Sequence, residues 1–203
     1  MILIEPGIGE RMPVSLETLP SIRPETGVDL NRNFSTHWMG TLDEIGVPIG
    51  DSFFPGTSPF SEPETQALRD FAIAHQFFLS VSLHSYGDLL YFPWGFTEEP
   101  VPDFDAFASL AERIADRSKV EVSFEFPAGY TPGNSDDYLY GEFGTYAFTV
   151  EVGDGIPTSN EELSAVFSEK LPGLLYAIQQ VAQLPALGIP LSSSSAHDLS
   201  STP

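Results

Sequence analysis

The chain has no cysteine, so a disulfide framework, a thiolate metal site and a thiol nucleophile are all excluded. Basic residues are scarce: 8 Lys and Arg stand against 29 Asp and Glu, for a formal net charge of −21. That balance argues against grip on nucleic acid, because the basic footprint needed for phosphate contacts is missing. No apolar run approaches the roughly 20 residues that cross a bilayer, so no membrane partner is expected. The opening Met-Ile-Leu-Ile-Glu has neither the charged start nor the small-residue cleavage site of a leader and reads as a core strand. The acidic excess itself has two readings, simple solubility in a salty or extracellular setting, or attraction for a cationic partner.

What is present organises around Phe77-Phe78-Leu79-Ser80-Val81-Ser82-Leu83-His84-Ser85-Tyr86. An uncharged, mostly apolar run of this length predicts a strand buried on both faces, and it stops at a polar His84. Ligands of open α/β sheets sit just beyond the carboxyl ends of such strands. Residues 1–5 predict a short buried strand, and the Pro- and Gly-rich stretch from Pro6 to Pro59 is too long for an ordinary connection. Ser61-Glu62-Pro63-Glu64 predicts a capped helix to His75, with Ala67, Leu68, Phe71 and Ala74 as its inner stripe. Strands are expected near Leu89–Phe92, Val120–Phe126 and Thr145–Val152. Helices are expected after Asp103 as its cap, with Phe104, Phe107, Leu110, Ala111 and Ile114 at 3–4 spacing, from Ser135 to Gly144, and from Ser159 to about Gln183. The whole predicts an α/β fold with one mixed, mostly parallel sheet flanked by helices on both faces. One domain spans residues 1–183, and residues 184–203 form a Pro- and Ser-rich tail.

Three polar groups fall at strand ends or in a crowded loop: Asn31-Arg32, His84 and Glu151. Taken singly, each is ordinary, since a lone His is usually structural and a lone Glu or Arg usually solvated. Together they suggest hydrolysis. Imidazole is the commonest metal ligand, a carboxylate beside a metal-bound water can act as general base, and Arg grips a carboxylate with a rigid fork.

Four segments give this suggestion a family. Gly27-Val28-Asp29-Leu30-Asn31-Arg32-Asn33-Phe34, Ser58–Thr65, Leu83-His84-Ser85-Tyr86 and Tyr146-Ala147-Phe148-Thr149-Val150-Glu151 resemble, in order and spacing, successive signatures of the zinc carboxypeptidases. The resemblance covers about residues 1 to 183. It implies that His84 is a zinc ligand, that Asn31 and Arg32 hold the substrate's C-terminal carboxylate, and that Glu151 is the general base. It implies further that Tyr130 is a mobile tyrosine closing over the substrate, once one residue is deleted from the alignment. Arg23, with Arg11 as the alternative, would polarise the scissile carbonyl. Asp136 falls at the position that sets side-chain preference, where an acid implies basic C-terminal residues. The partner implied is a peptide or protein C-terminus, and the cofactor is Zn2+.

The sequence also departs from the family. Its first two zinc ligands come from a His-x-x-Glu motif, yet none of His37, His75, His84 and His197 is followed three residues later by an acid. The family's early strands and first helix are expected to be missing with that motif, and the following turn is altered to Glu5-Pro6-Gly7. The expectation is a C-terminal portion of the catalytic domain, inactive by itself, with any export signal in the missing part. The alternatives are a non-catalytic relative that binds peptide C-termini and a truncated gene product.

Overall fold

A computed structural model describes residues 2–4, 27–38, 53–75, 77–124 and 131–180. Five strands form one sheet: β1 (Ile2–Ile4), β2 (Leu79–His84), β3 (Leu89–Tyr91), β4 (Glu121–Val122) and β5 (Tyr146–Glu151), in the order β1-β2-β5-β3-β4. The pairs β1–β2, β2–β5 and β3–β4 are parallel and β3–β5 is antiparallel, so the sheet is mixed and mostly parallel as predicted.

Alternation along the two central strands builds the layers. Leu79 and Val81 of β2 and Tyr146, Phe148 and Val150 of β5 enter one core. Against them pack α2 (Phe104–Ser118), through Phe107, Leu110, Ala111 and Ile114, and α4 (Asn160–Gln180), through Leu174 and Ala177. These α2 positions are those its 3–4 spacing predicts. The opposite face of β5 gives Ala147 to a smaller core with Phe34, Ala72 of α1 (Pro63–His75), and Tyr138 and Leu139 of α3 (Ser135–Phe143). Helices therefore cover both faces.

The long α4 crosses α2 closely at Gly173. A methyl there would run into Ser118 Oγ and lie 2.6 Å from the carbonyl oxygen of Ile114, so only glycine permits this approach.

Three local expectations are corrected. The inner stripe of α1 is Thr65, Leu68 and Ala72, whereas Ala67 and Ala74 are exposed and Phe71 is 43% exposed. The cause is Asn33, whose buried Oδ1 accepts from Thr65 Oγ1 at 2.7 Å and from the Glu62 amide at 3.3 Å, fixing the rotation of the helix from its first turn. Phe71 instead meets His75 and Phe77 at ring distances of 4.4 and 5.1 Å. Secondly, Asp103 does not cap α2 with its side chain, which accepts the Tyr140 hydroxyl at 2.9 Å. Thirdly, the strand expected over Val120–Phe126 pairs only at Glu121–Val122, and residues 125 and 126 lie outside the described residues. The tail at 184–203 lies outside them too. Among the described residues no helix is long and apolar enough to cross a membrane.

Candidate active site

His84 and Glu151 are the last residues of β2 and β5, and they are register partners in that parallel pair. Register partners in adjacent strands share a face. This is the face opposite Val81, Phe148 and Val150, and it carries Ser80 and Ser82 of β2 and Ala147 and Thr149 of β5. The apolar-polar alternation thus brings together two groups 67 positions apart in the chain. Ser82 Oγ lies 2.9 Å from His84 Nε2. If Nε2 donates in that bond, the ring is held in the tautomer whose lone pair sits on Nδ1.

Glu151 is half-buried. Loss of water pushes its pKa above the ordinary 4.5, and the neighbouring His84 pulls it back down. A carboxyl group so placed accepts a proton more readily than a solvated one.

Two positions back along β5, Thr149 extends the polar strip. Thr149 Oγ1 donates to Asp136 Oδ2 at 2.7 Å, which joins β5 to the first turn of α3. Asp136 is 4% exposed and Asp137 is fully buried. Asp137 accepts from the Gly95 amide at 2.9 Å and from Asn134 Nδ2 at 2.7 Å. Burial outweighs these donors and raises its pKa to about 7; the neighbouring Asp136 charge adds to the rise, and Arg32 opposes it.

The consequence for stability has a definite sign. The folded chain holds this proton more tightly than the unfolded one, so the contribution is complete below 3.8 and is lost as pH rises to about 7. Urea unfolding of wild type and Asp137→Asn between those limits is expected to differ in slope by up to about 1.4 kcal/mol per pH unit. Parallel pH dependences would refute the assignment.

Asn31 and Arg32 lie in a 3₁₀ turn, Leu30–Arg32, capped by Asp29 Oδ1 accepting from the Asn31 amide at 3.0 Å. Asn31 Oδ1 accepts the Ser135 amide at 2.9 Å, which ties the turn to the start of α3 and leaves the side-chain NH2 as what Asn31 offers a ligand. Arg32 donates to the Asn31 carbonyl at 2.7 Å and lies 5.6 Å from the Phe53 ring centroid. The adjacent Asn33 is the anchor of the whole turn. Besides its contacts to α1, its Nδ2 donates to the carbonyls of Pro55 and Ser58 and to Ser61 Oγ at 2.8–3.0 Å. Gly133 closes the other side: its carbonyl accepts the Phe34 amide, and a side chain there would strike the Arg32 carbonyl.

The structure thus places His84 beside Glu151, and joins Asn31 and Asp136 to that strip through α3 and Thr149. Tyr130, Arg23 and Arg11 lie outside the described residues, as does His197. His75 ends α1, exposed, and His37 stacks on Phe96 with ring centroids 3.6 Å apart. Among the described residues no three His, Cys, Asp or Glu side chains converge to hold a metal. A catalytic zinc takes three protein ligands plus water, so the described donors do not by themselves fit one.

Sequence reasoning passed over Ser82, Asp137 and Lys170. Lys170 had a signal, since it falls at 3–4 spacing with Gly173, Leu174 and Ala177 on the buried face of α4.

Comparison with known proteins bears on the family and the fold. A family model described as zinc carboxypeptidase matches residues 15–171. Carboxypeptidase B of Astacus astacus is 36% identical over 141 residues, covering 63% of this chain and 45% of that protein. Human carboxypeptidase O is 28% identical over 169 residues, covering 70% and 43% respectively. The chain spans less than half the length of either relative. Bovine thrombin-activatable fibrinolysis inhibitor, solved in complex with tick carboxypeptidase inhibitor, superposes with a TM-score of 0.68 at 26% identity, over 80% of this chain and 60% of that one. Carboxypeptidase A of Helicoverpa armigera gives the same TM-score of 0.68 at 18% identity, over 83% and 45%, and bears on the fold alone.

Proposed function

The chain belongs to the zinc carboxypeptidase family, and from that premise we propose that it acts at the free C-terminus of peptides. In this reading Arg32 grips the terminal carboxylate with its guanidinium fork and Asn31 adds its NH2 donor. Glu151 takes the proton from the water that attacks the last peptide carbonyl, which its raised proton affinity suits. Asp136 favours a basic terminal side chain, since a carboxylate removed from water attracts a cation strongly. Tyr130 and Arg23, or Arg11 in its place, keep the roles that the resemblance implies. The observation that carries the reading is the in-register pairing of His84 with Glu151 at adjacent strand ends.

Zinc would supply Lewis-acid activation of water in the whole protein, with His84 as one ligand. Among the described residues the donor set for that ion is incomplete. The 203-residue chain is proposed to bind C-termini without hydrolysing them. The second reading, a relative whose role is such binding alone, is favoured by the absence of any His-x-x-Glu or His-x-x-Asp in the sequence.

Calorimetry with a short arginine-ending peptide, as free acid and as amide, tests the recognition. The free acid is expected to bind more tightly, and Arg32→Ala to weaken it by about 1.5–3 kcal/mol, the worth of a charge-assisted bond. Arg32→Lys is expected to restore only part, because an ammonium has no fork. Equal binding of acid and amide would rule the pocket out. Zinc titration of the same chain is expected to show no tight stoichiometric site, and tight binding would overturn the claim of an incomplete ligand set.

A further inference from the structure

Lys170 is a cation where none is needed for packing, on the buried face of α4 with its side chain 3% exposed. Its Nζ lies 2.7 Å from Asp88 Oδ1 and 2.8 Å from Glu169 Oε1, and donates to the carbonyl of Lys119 at 3.2 Å. Burial alone would lower its pKa, but the bonds to Asp88 and Glu169 overcome that and hold it charged. A buried ammonium is retained only when fully partnered.

The partner matters more than the pairing. Asp88 lies in the turn that follows β2, three residues before Tyr91 ends β3 and four after His84. The same Oδ1 that meets Lys170 also accepts the Gly153 amide at 2.8 Å, two residues after Glu151. The Gly87 amide donates to the Gly153 carbonyl at 2.8 Å, and the Val152 amide donates to the His84 carbonyl at 2.8 Å. The two loops that leave β2 and β5 are thus laced together directly behind the His84–Glu151 pair. Gly87 is packed against Glu151, since a methyl there would lie 3.4 Å from Glu151 Cβ. Lys170 closes the lacing from α4.

We propose that Lys170 is a positioning residue: through Asp88 it locks the loops after β2 and β5 together and so fixes the Glu151 carboxylate beside His84. This rests on the reading of Glu151 as the base, but its physical content is a geometric linkage that stands without catalysis.

The test is amide hydrogen exchange followed by NMR in the full 203-residue chain, with the through-space contact between Gly87 and the Glu151 side chain as a second readout, since a methyl on Gly87 would lie 3.4 Å from Glu151 Cβ. In Lys170→Met the loops part, so the Gly153, Val152 and Gly87 amides are expected to exchange faster than in wild type and the Gly87–Glu151 contact to weaken, while the Phe148 amide inside β5 stays slow. Lys170→Arg, which keeps the charge and can still reach Asp88, is expected to keep the slow exchange and the contact. Where Lys170→Met does not fold, Asp88→Asn decides, since it keeps an acceptor for Gly153 and removes only the ion pair; its Gly87–Glu151 contact is expected to weaken as well. Unchanged exchange and an unchanged contact in a folded Lys170→Met or Asp88→Asn chain overturn the proposal. If both follow Lys170 but free-acid and amide peptides bind alike, the functional reading fails and the linkage survives.

Discussion

Replacing Glu151 with glutamine is expected to lower the release of C-terminal residues from short peptides by about 10²–10⁴-fold, the usual contribution of a positioned proton acceptor. The measurement belongs to the whole protein supplied with zinc, with peptide affinity followed in parallel. Glutamine keeps the shape of the side chain at the end of β5 and cannot take a proton, so binding should persist while turnover falls. Full turnover by the variant would remove Glu151 from the chemistry. Glu151→Asp, which keeps the carboxyl group but shortens its reach, should lose rate as well.

The largest expected effect on stability lies in the other layer. Phe107 is fully buried, and its ring meets those of Phe92, Tyr140, Tyr146 and Phe148 at centroid distances of 4.8–5.4 Å. It joins α2, α3 and β5 at one point. Truncating it to alanine is expected to cost about 3–5 kcal/mol, because four neighbouring rings cannot close over the space it leaves. Urea unfolding would show this as a lowered midpoint with unchanged slope. Phe167, 60% exposed on α4, provides the contrast. Phe167→Ser is expected to stay within about 0.5 kcal/mol of wild type. Similar costs at both positions would mean that the core is not where the packing places it.

Much of this arrangement was legible before any coordinates. The uncharged run ending at His84 and the matching run ending at Glu151 predict two buried strands, and the structure adds that they are neighbours in register. The inner face of α2 followed from spacing alone. The inner face of α1 did not, because that helix has too little contrast between its sides for periodicity to fix a rotation. Its orientation comes from Asn33, a residue 30 positions before its first turn, whose amide the sequence gives no reason to prefer over that of Asn31. Asp137 and Lys170 escaped for a related reason. A charged residue is read as solvated unless its partners are known, and Gly95 and Asp88 lie 42 and 82 positions away. Local patterns specify elements, whereas these long-range bonds specify how the elements are aimed.

The shared register of β2 and β5 has a further meaning for how this chain tolerates change. Core and site are written on the same two strands in opposite parity: residues 79, 81, 146, 148 and 150 face one way, and 82, 84, 149 and 151 the other. Inserting one residue early in β5 would turn Phe148 out of the core and Glu151 into it, and the same change in β2 would turn Val81 out and His84 in. Inserting two would restore the parity and only displace the strand end. Length variants of this chain should therefore survive in even steps through β2 and β5, and neither its core nor its candidate site can drift without the other.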